Sequence, residues 1–235
     1  MKRQRHTGKN RTSLWAIIAT FFLLPASSVL AQRESKTIND SWKFLKGECT
    51  TAADSAFNDS AWQSVHLPHT WNTDAYTTKD YYRGTGWYRR LISLPQAWKE
   101  KQIYLKLDAA SKAATVYVNG RNIGEHAGGY TACTFDLTPY LSFTSPNVLA
   151  IRVDNARQDI APISADFTFF GGIYRDVWLT AVPKQHFNLA NHGSDGIFIN
   201  TPHVSEEKAT IQIRGEVTNS SEEKSTLELT NTVYH

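Results

Sequence analysis

Thr115-Val116-Tyr117-Val118-Asn119-Gly120-Arg121-Asn122-Ile123-Gly124-Glu125 decides the fold class. The first four residues are β-branched or aromatic, the composition of a strand. Asn119-Gly120 tolerates positive φ at both positions and predicts a tight hairpin turn. Arg121 to Glu125 is then the returning strand. Outward from this hairpin the same grammar repeats. Ile103, Leu105 and Leu107 alternate with Tyr104 and Lys106, the period-2 pattern of a half-buried strand. Trp87 to Leu94 reads as a strand stopped by Pro95, and Thr131 to Phe135, Val148 to Val153 and Val177 to Val182 as further strands. No segment after residue 31 carries an apolar stripe at helical period. Many short strands with Gly, Pro and Asn punctuation predict an all-β chain, a jelly-roll β-sandwich.

A second unit is expected from residue 184. Gly196 to Thr201 reads as a strand. Ile211, Ile213 and Val217 alternate with Gln212, Arg214 and Glu216, and Leu227 and Leu229 with Glu228 and Thr230. An immunoglobulin-like sandwich takes about 100 residues and seven strands. Residues 184–235 are therefore expected to be an incomplete immunoglobulin-like domain, and the C-terminus a truncation.

The first 31 residues read as an address. A basic stretch from Met1 to Arg11 precedes an apolar run from Leu14 to Leu24, and Val29-Leu30-Ala31 suits cleavage before Gln32. The apolar run is short for a membrane span, which needs about 20 residues. Exported, periplasmic or secreted, with no membrane attachment after signal removal, is the expected location. Residues 1–31 hold five basic residues and no acid, so their removal lowers the formal charge from +3 by five, to −2. That argues against a nucleic-acid partner, which calls for a basic folded part. The 235-residue chain is also too short for a (β/α)8 barrel, which takes about 250 residues. Export permits a disulfide, but Cys49 and Cys133 do not demand one. No His or Cys stands at ligand spacing from either, so no metal site is expected.

Four segments, in order, carry a resemblance. They are Leu67-Pro68-His69-Thr70-Trp71-Asn72, then Tyr82-Arg83-Gly84-Thr85-Gly86-Trp87-Tyr88-Arg89-Arg90. Next comes Val116 to Gly120 running on to Gly124-Glu125-His126-Ala127-Gly128-Gly129-Tyr130-Thr131. Last is Asp166-Phe167 with Gly171-Gly172-Ile173-Tyr174-Arg175-Asp176-Val177-Trp178-Leu179. Together they resemble the N-terminal sugar-binding domain of glycoside hydrolase family 2, whose members include β-galactosidases, β-glucuronidases and β-mannosidases. The resemblance covers about residues 38–183. It implies a β-galactosidase-like chain in which 32–183 is the jelly roll and 184–235 begins the immunoglobulin-like domain. It also implies that O-glycosyl hydrolysis belongs to a (β/α)8 barrel further on, where a retaining enzyme holds its two carboxyl groups. No catalytic residue is therefore expected here. The expected partners are β-linked glycans and, by intramolecular packing, that barrel. No cofactor is expected on this chain; an alkali or divalent cation is implied only for the complete enzyme. The alternatives are a free-standing carbohydrate-binding module without hydrolase activity and a structural spacer.

By the same resemblance, Asp166 and Arg83 are the candidate substrate-binding residues. Asp166 lies seven residues before Ile173, the spacing at which family members place an acid that contacts the terminal sugar. A carboxylate accepts hydrogen bonds from adjacent sugar hydroxyls, and the competing reading is a solvated loop acid. The Arg83 fork suits a hydroxyl pair or a carboxylate, against a surface ion pair. Trp71 could stack on a sugar, against a place in the core, and Trp42, Trp62, Trp87 and Trp178 are read as core. His69 is read as a structural, hydrogen-bonded histidine. Glu125 and His126 point to opposite faces of one strand and make poor partners. Gly171-Gly172 is expected to supply positive φ or a close approach.

Overall fold

The computed structural model describes residues 32–234; the leader reading for residues 1–31 lies outside them. Fourteen strands follow one another among the described residues: β1 (Glu34–Thr37), β2 (Trp42–Lys46), β3 (Gln63–Val65), β4 (Thr85–Ile92), β5 (Gln102–Leu107), β6 (Ala113–Val118), β7 (Arg121–Ala127), β8 (Cys133–Asp136), β9 (Asn147–Asp154), β10 (Val177–Val182), β11 (Gln185–Phe187), β12 (Ile197–Val204), β13 (Ala209–Gly215) and β14 (Val217–Asn219). Two antiparallel sheets make the sandwich, ordered β1-β10-β5-β8 and β3-β2-β4-β9-β6-β7. β6 and β7 form the expected hairpin, with Asn119 at φ 51° and Gly120 at φ 82°. Those two positive φ values match the hairpin to the strand twist.

Strand alternation sorts side chains between two surfaces of the six-stranded sheet. Tyr88 and Ile92 of β4, Leu149, Ile151 and Val153 of β9, and Val116 and Val118 of β6 face the interior. There they meet Ile103, Leu105 and Leu107 of β5 and Val177, Leu179 and Ala181 of β10. Each large aliphatic side chain so buried contributes about 1.5–3 kcal/mol. Trp87 and Ala150 turn to the opposite surface, under a loop that brings Ala52, Phe57 and Trp62 across it.

Three expectations are corrected. Tyr104 is buried on a strand expected to be half-exposed, because Val182 and Leu189 cover it and its hydroxyl meets His186 Nε2 at 3.0 Å. Trp178 is only half-buried, its indole N–H donating to Asp108 at 2.8 Å. Leu227 and Leu229 lie in no strand and are exposed. Beyond Pro183 the described residues form two-stranded sheets, β11-β14 and β12-β13. Cys49 and Cys133 are free, and burial pushes the Cys133 thiol up to about 12.

Candidate functional site

Asp166 and Arg83 stand on two different loops, and both loops are tied to one pair of buried side chains. Asn72 follows the Trp71 segment between β3 and β4, and Asn155 comes directly after β9; both are wholly buried. Gly84 N–H donates to Asn155 Oδ1 at 2.8 Å, and Asn155 N–H returns to Gly84 O at 3.1 Å. Asn155 Nδ2 donates to Phe169 O at 2.9 Å, and Asn72 Nδ2 to Tyr82 O at 2.7 Å. Gly171 N–H donates to Asn72 Oδ1 at 2.7 Å. The pair therefore binds residues 82–84 to residues 169–171 through satisfied polar groups, which rigidify where unsatisfied ones would cost stability. Phe169 N–H is held further by Tyr81 Oη at 2.9 Å.

Arg83 is half-buried. Its Nη2 donates to Asn155 O at 3.4 Å, and its guanidinium carbon sits 4.6 Å from the Phe169 ring centre. Its Nε is buried without a partner. Lys112 Nζ lies 5.7 Å from the same ring centre and donates to Arg157 O at 2.7 Å. Burial, then the neighbouring Arg83, holds Lys112 below the usual lysine value. The nearby acids are engaged elsewhere: Asp159 and Glu125 by Arg157 at 2.6 and 3.1 Å, and Asp154 by Arg152 at 3.5 Å. Arg83 enters none of the ion pairs found among the described residues. Asp166 lies three residues before Phe169 and is exposed. Exposed Phe167 packs near Phe169, ring centres 5.1 Å apart, and exposed Tyr76 lies 5.9 Å from Phe170. The same loops thus carry a cation, a carboxylate and exposed aromatic rings, a combination suited to sugar hydroxyls and C–H faces.

The other singled-out residues are structural. His69 Nδ1 meets Tyr88 Oη at 2.7 Å, and burial holds the imidazole below its ordinary value. Burial also raises the Tyr88 phenol far above its ordinary value. Trp71 is buried, stacked with Phe44 at 5.9 Å between ring centres. Trp42, Trp62 and Trp87 are buried as expected. Glu125 accepts from Thr115 at 3.0 Å while His126 faces Thr131, in keeping with opposite faces. Asp176 turns in to Asn39 at 2.9 Å and Arg175 is exposed. Gly171 and Gly172 serve both expected purposes. A Cβ on Gly171 would lie 2.1 Å from Trp71 Cζ2, and Gly172 has φ 125°.

Sequence reading missed the part played by Asn72 and Asn155. Asn72 ends a quoted motif, and its neighbour Trp71 was the only pointer; Asn155 carries no sequence signal. No group of three or more His, Cys, Asp or Glu among the described residues is placed to hold a metal. A single exposed carboxylate at Asp166 does not make a cation site, which needs about six or more oxygen ligands for calcium.

Comparison with known proteins adds the following. The family described as "Glycosyl hydrolases family 2, sugar binding domain" matches residues 29–183. A beta-glucuronidase of Bacteroides fragilis is 34% identical over 199 residues, covering 81% of this chain and 27% of the relative. A beta-galactosidase of Bacteroides ovatus is 33% identical, covering 84% of this chain and 23% of the relative. The crystal structure of a Bacteroides uniformis beta-glucuronidase is 78% identical with a TM-score of 0.80, covering 81% of this chain and 23% of that one. The chain spans about a quarter of the length of these relatives.

Proposed function

The chain belongs to glycoside hydrolase family 2, and from that premise we propose that it serves as the N-terminal, sugar-contacting part of an exported β-glycosidase. Asp166 and Arg83 are the substrate-binding residues in this reading. The observation that carries it is the buried Asn72–Asn155 pair, which fixes the Arg83 loop against the segment that follows Asp166. A loop residue needs such support to hold a sugar in one geometry. Bond cleavage is assigned to a (β/α)8 barrel outside this chain, because a barrel alone takes about 250 residues. In this reading the exposed rings of Tyr76 and Phe167 offer apolar surface to the sugar or to that barrel. Residues 184–235 are read as the opening strands of an immunoglobulin-like domain. The reading requires no cofactor on this chain.

Glucuronides are the favoured substrates over galactosides. The Bacteroides uniformis protein, 78% identical, is a beta-glucuronidase, and the Arg83 guanidinium suits an acidic sugar. The test uses nitrophenyl β-glucuronide, β-galactoside and β-mannoside. Each is offered to the purified chain and to a chimera in which the chain replaces the matching quarter of the Bacteroides uniformis enzyme. The chimera should cleave the glucuronide and the chain alone none of the three. Asp166→Ala in the chimera should raise KM about tenfold or more, the loss of a charge-assisted hydrogen bond. Cleavage by the chain alone, surviving repurification, would place the chemistry here and overturn the assignment.

A further inference from the structure

Tyr88 is wholly buried on β4, and its hydroxyl lies against residues 171–173. Gly172 permits that approach, since a Cβ there would lie 2.8 Å from Tyr88 Oη. The Ile173 N–H faces the same oxygen, and His69 Nδ1 lies 2.7 Å from it. With an N–H already directed at the oxygen, the phenol hydrogen is left for His69 Nδ1. The imidazole is then neutral, an acceptor at Nδ1 with its own hydrogen on Nε2. His69 is half-buried and lines an open groove, so a proton from solvent can reach the ring.

The backbone around this ring leads to the site. His69 N–H donates to Ile173 O at 2.7 Å, and Trp71 N–H to Gly171 O at 3.3 Å. Thr70 Oγ1 donates to the same Gly171 O at 2.8 Å. Residues 69–72 therefore run beside residues 171–173. Asn72, at the end of that run, reaches Gly171 and Tyr82. His69 thus stands three residues from the hub that holds the Arg83 loop and the segment after Asp166.

A second proton on the imidazole reverses its contact with Tyr88. Nδ1 becomes a donor and meets an O–H donor. The phenol hydrogen has no other acceptor within hydrogen-bond reach among the described residues. A buried donor left unpaired is costly, so the two side chains must part. No charge offsets the proton. The ring is faced by Tyr88 of β4, by Phe44 of β2 with ring centres 4.6 Å apart, and by the backbone of residues 171–173. Lys46 of β2 is the ionisable side chain that shares its groove, and it is a cation. His66, three residues earlier, pairs with Asp40 at 2.9 Å on exposed surface. Burial alone shifts His69, and burial disfavours the proton.

We infer that His69 is a positioning residue. Neutral, it locks residues 69–72 to residues 171–173 through Tyr88; protonated, it releases the Asn72 hub and with it the Arg83 and Asp166 loops. The consequence for a ligand rests on the reading of Arg83 and Asp166 as the substrate-binding pair; the consequence for the loops does not.

The test is a pH titration of the full chain, labelled with ¹⁵N and ¹³C, from pH 8 to pH 4.5. It reads the His69 ring and the amides of Gly84 and Phe169, which touch neither His69 nor Tyr88. Both amides should move with the midpoint of the His69 ring. Tyr88→Phe removes the opposing hydrogen, so it should raise that midpoint and flatten the amide titration. His69→Gln, whose amide can accept from Tyr88 at any pH, should flatten it as well. Amides that stay flat through the His69 midpoint, or that still titrate in His69→Gln, overturn the proposal. In the chimera, KM for nitrophenyl β-glucuronide should rise about tenfold per pH unit below the His69 midpoint, relative to the His69→Gln chimera. The difference should fall on KM rather than kcat. A pH profile shared by the two chimeras overturns the coupling to ligand. A chimera that cleaves nothing sinks the substrate reading and leaves the amide titration to decide on His69, so the two readings fall separately.

Discussion

Arg89 turns to the outer surface of the six-stranded sheet, and Arg90, next to it on β4, turns toward Tyr88 and Ile92. Arg89 is 2% exposed and pairs with Asp59 at 2.9 Å. It also donates to the carbonyls of Ala52, Asp54 and Phe57, which pins the loop over Trp87. Arg90 has no such frame: its Nε and Nη1 are buried without partners, and burial lowers its pKa. The two should respond oppositely to the same substitution. Arg89→Met should destabilise by about 3–5 kcal/mol, since it strands a carboxylate and three carbonyls. Arg90→Met should be neutral or stabilising by about 1 kcal/mol, since it deletes unpaired donors. Urea unfolding of both variants checks this, and equal losses would refute the assignment of the two faces. Neither outcome is legible in the dipeptide Arg-Arg; only the strand parity and the loop above it distinguish them.

At the scale of elements, the segment from Asp166 to Gly172 hangs on contacts made one residue at a time. Gly171 leaves room for the Trp71 ring, and its N–H and C=O are taken by Asn72 and Thr70. Gly171→Ala should cost about 1–3 kcal/mol by overpacking against a ring that cannot move. Asn155→Ala should cost about 1–3 kcal/mol by leaving the Gly84 amide unpaired. Hydrogen exchange at Gly84, Phe169 and Gly171 should quicken in Asn155→Ala while β9 stays protected. Uniform protection in that variant would show that the asparagine pair does not hold the loops. The doubled glycine was readable in advance, because few other residues fit such a place. The asparagines were not, because a buried amide looks the same in a sequence as a solvated one.

For the whole molecule, acid is the informative perturbation. Burial lowers the pKa of His69 in the folded chain below its unfolded value of about 6.5. The unfolded chain therefore binds the proton first. Stability is full above about pH 6.5 and falls as the pH drops through the unfolded value toward the folded one. A second loss follows at lower pH. Hydrogen bonding to Arg157 pushes Asp159 down to about 2, and Arg152 likewise lowers Glu48. Their contributions are present above the ordinary carboxylate range and disappear as the pH falls through the lowered values. Thermal melts from pH 8 to about pH 2 should show both limbs, and His69→Gln should remove only the upper one. An unchanged upper limb in that variant would remove His69 from the account. The strands beyond residue 184 should behave differently from the sandwich. β12 and β13 pair only with each other among the described residues, and Ile199 is 66% exposed. Their amides should exchange well before those of β4 and β9.

The sequence by itself determined the all-β class, the β6–β7 hairpin and most strand positions. Those follow from local chemistry: side-chain alternation, β-branching and residues that accept positive φ. The four ordered motifs also determined the family, because each is a short contiguous string. Tertiary structure alone decided the rest. Tyr104 is buried by residues about 80 positions away, and Leu227 and Leu229 alternate without forming a strand, since alternation needs a partner edge to become a sheet. The Asn72–Asn155 pair is likewise a meeting of two loops 83 residues apart. A hydrogen-bonded hub belongs to the packing of distant segments, and one-dimensional spacing holds no trace of it.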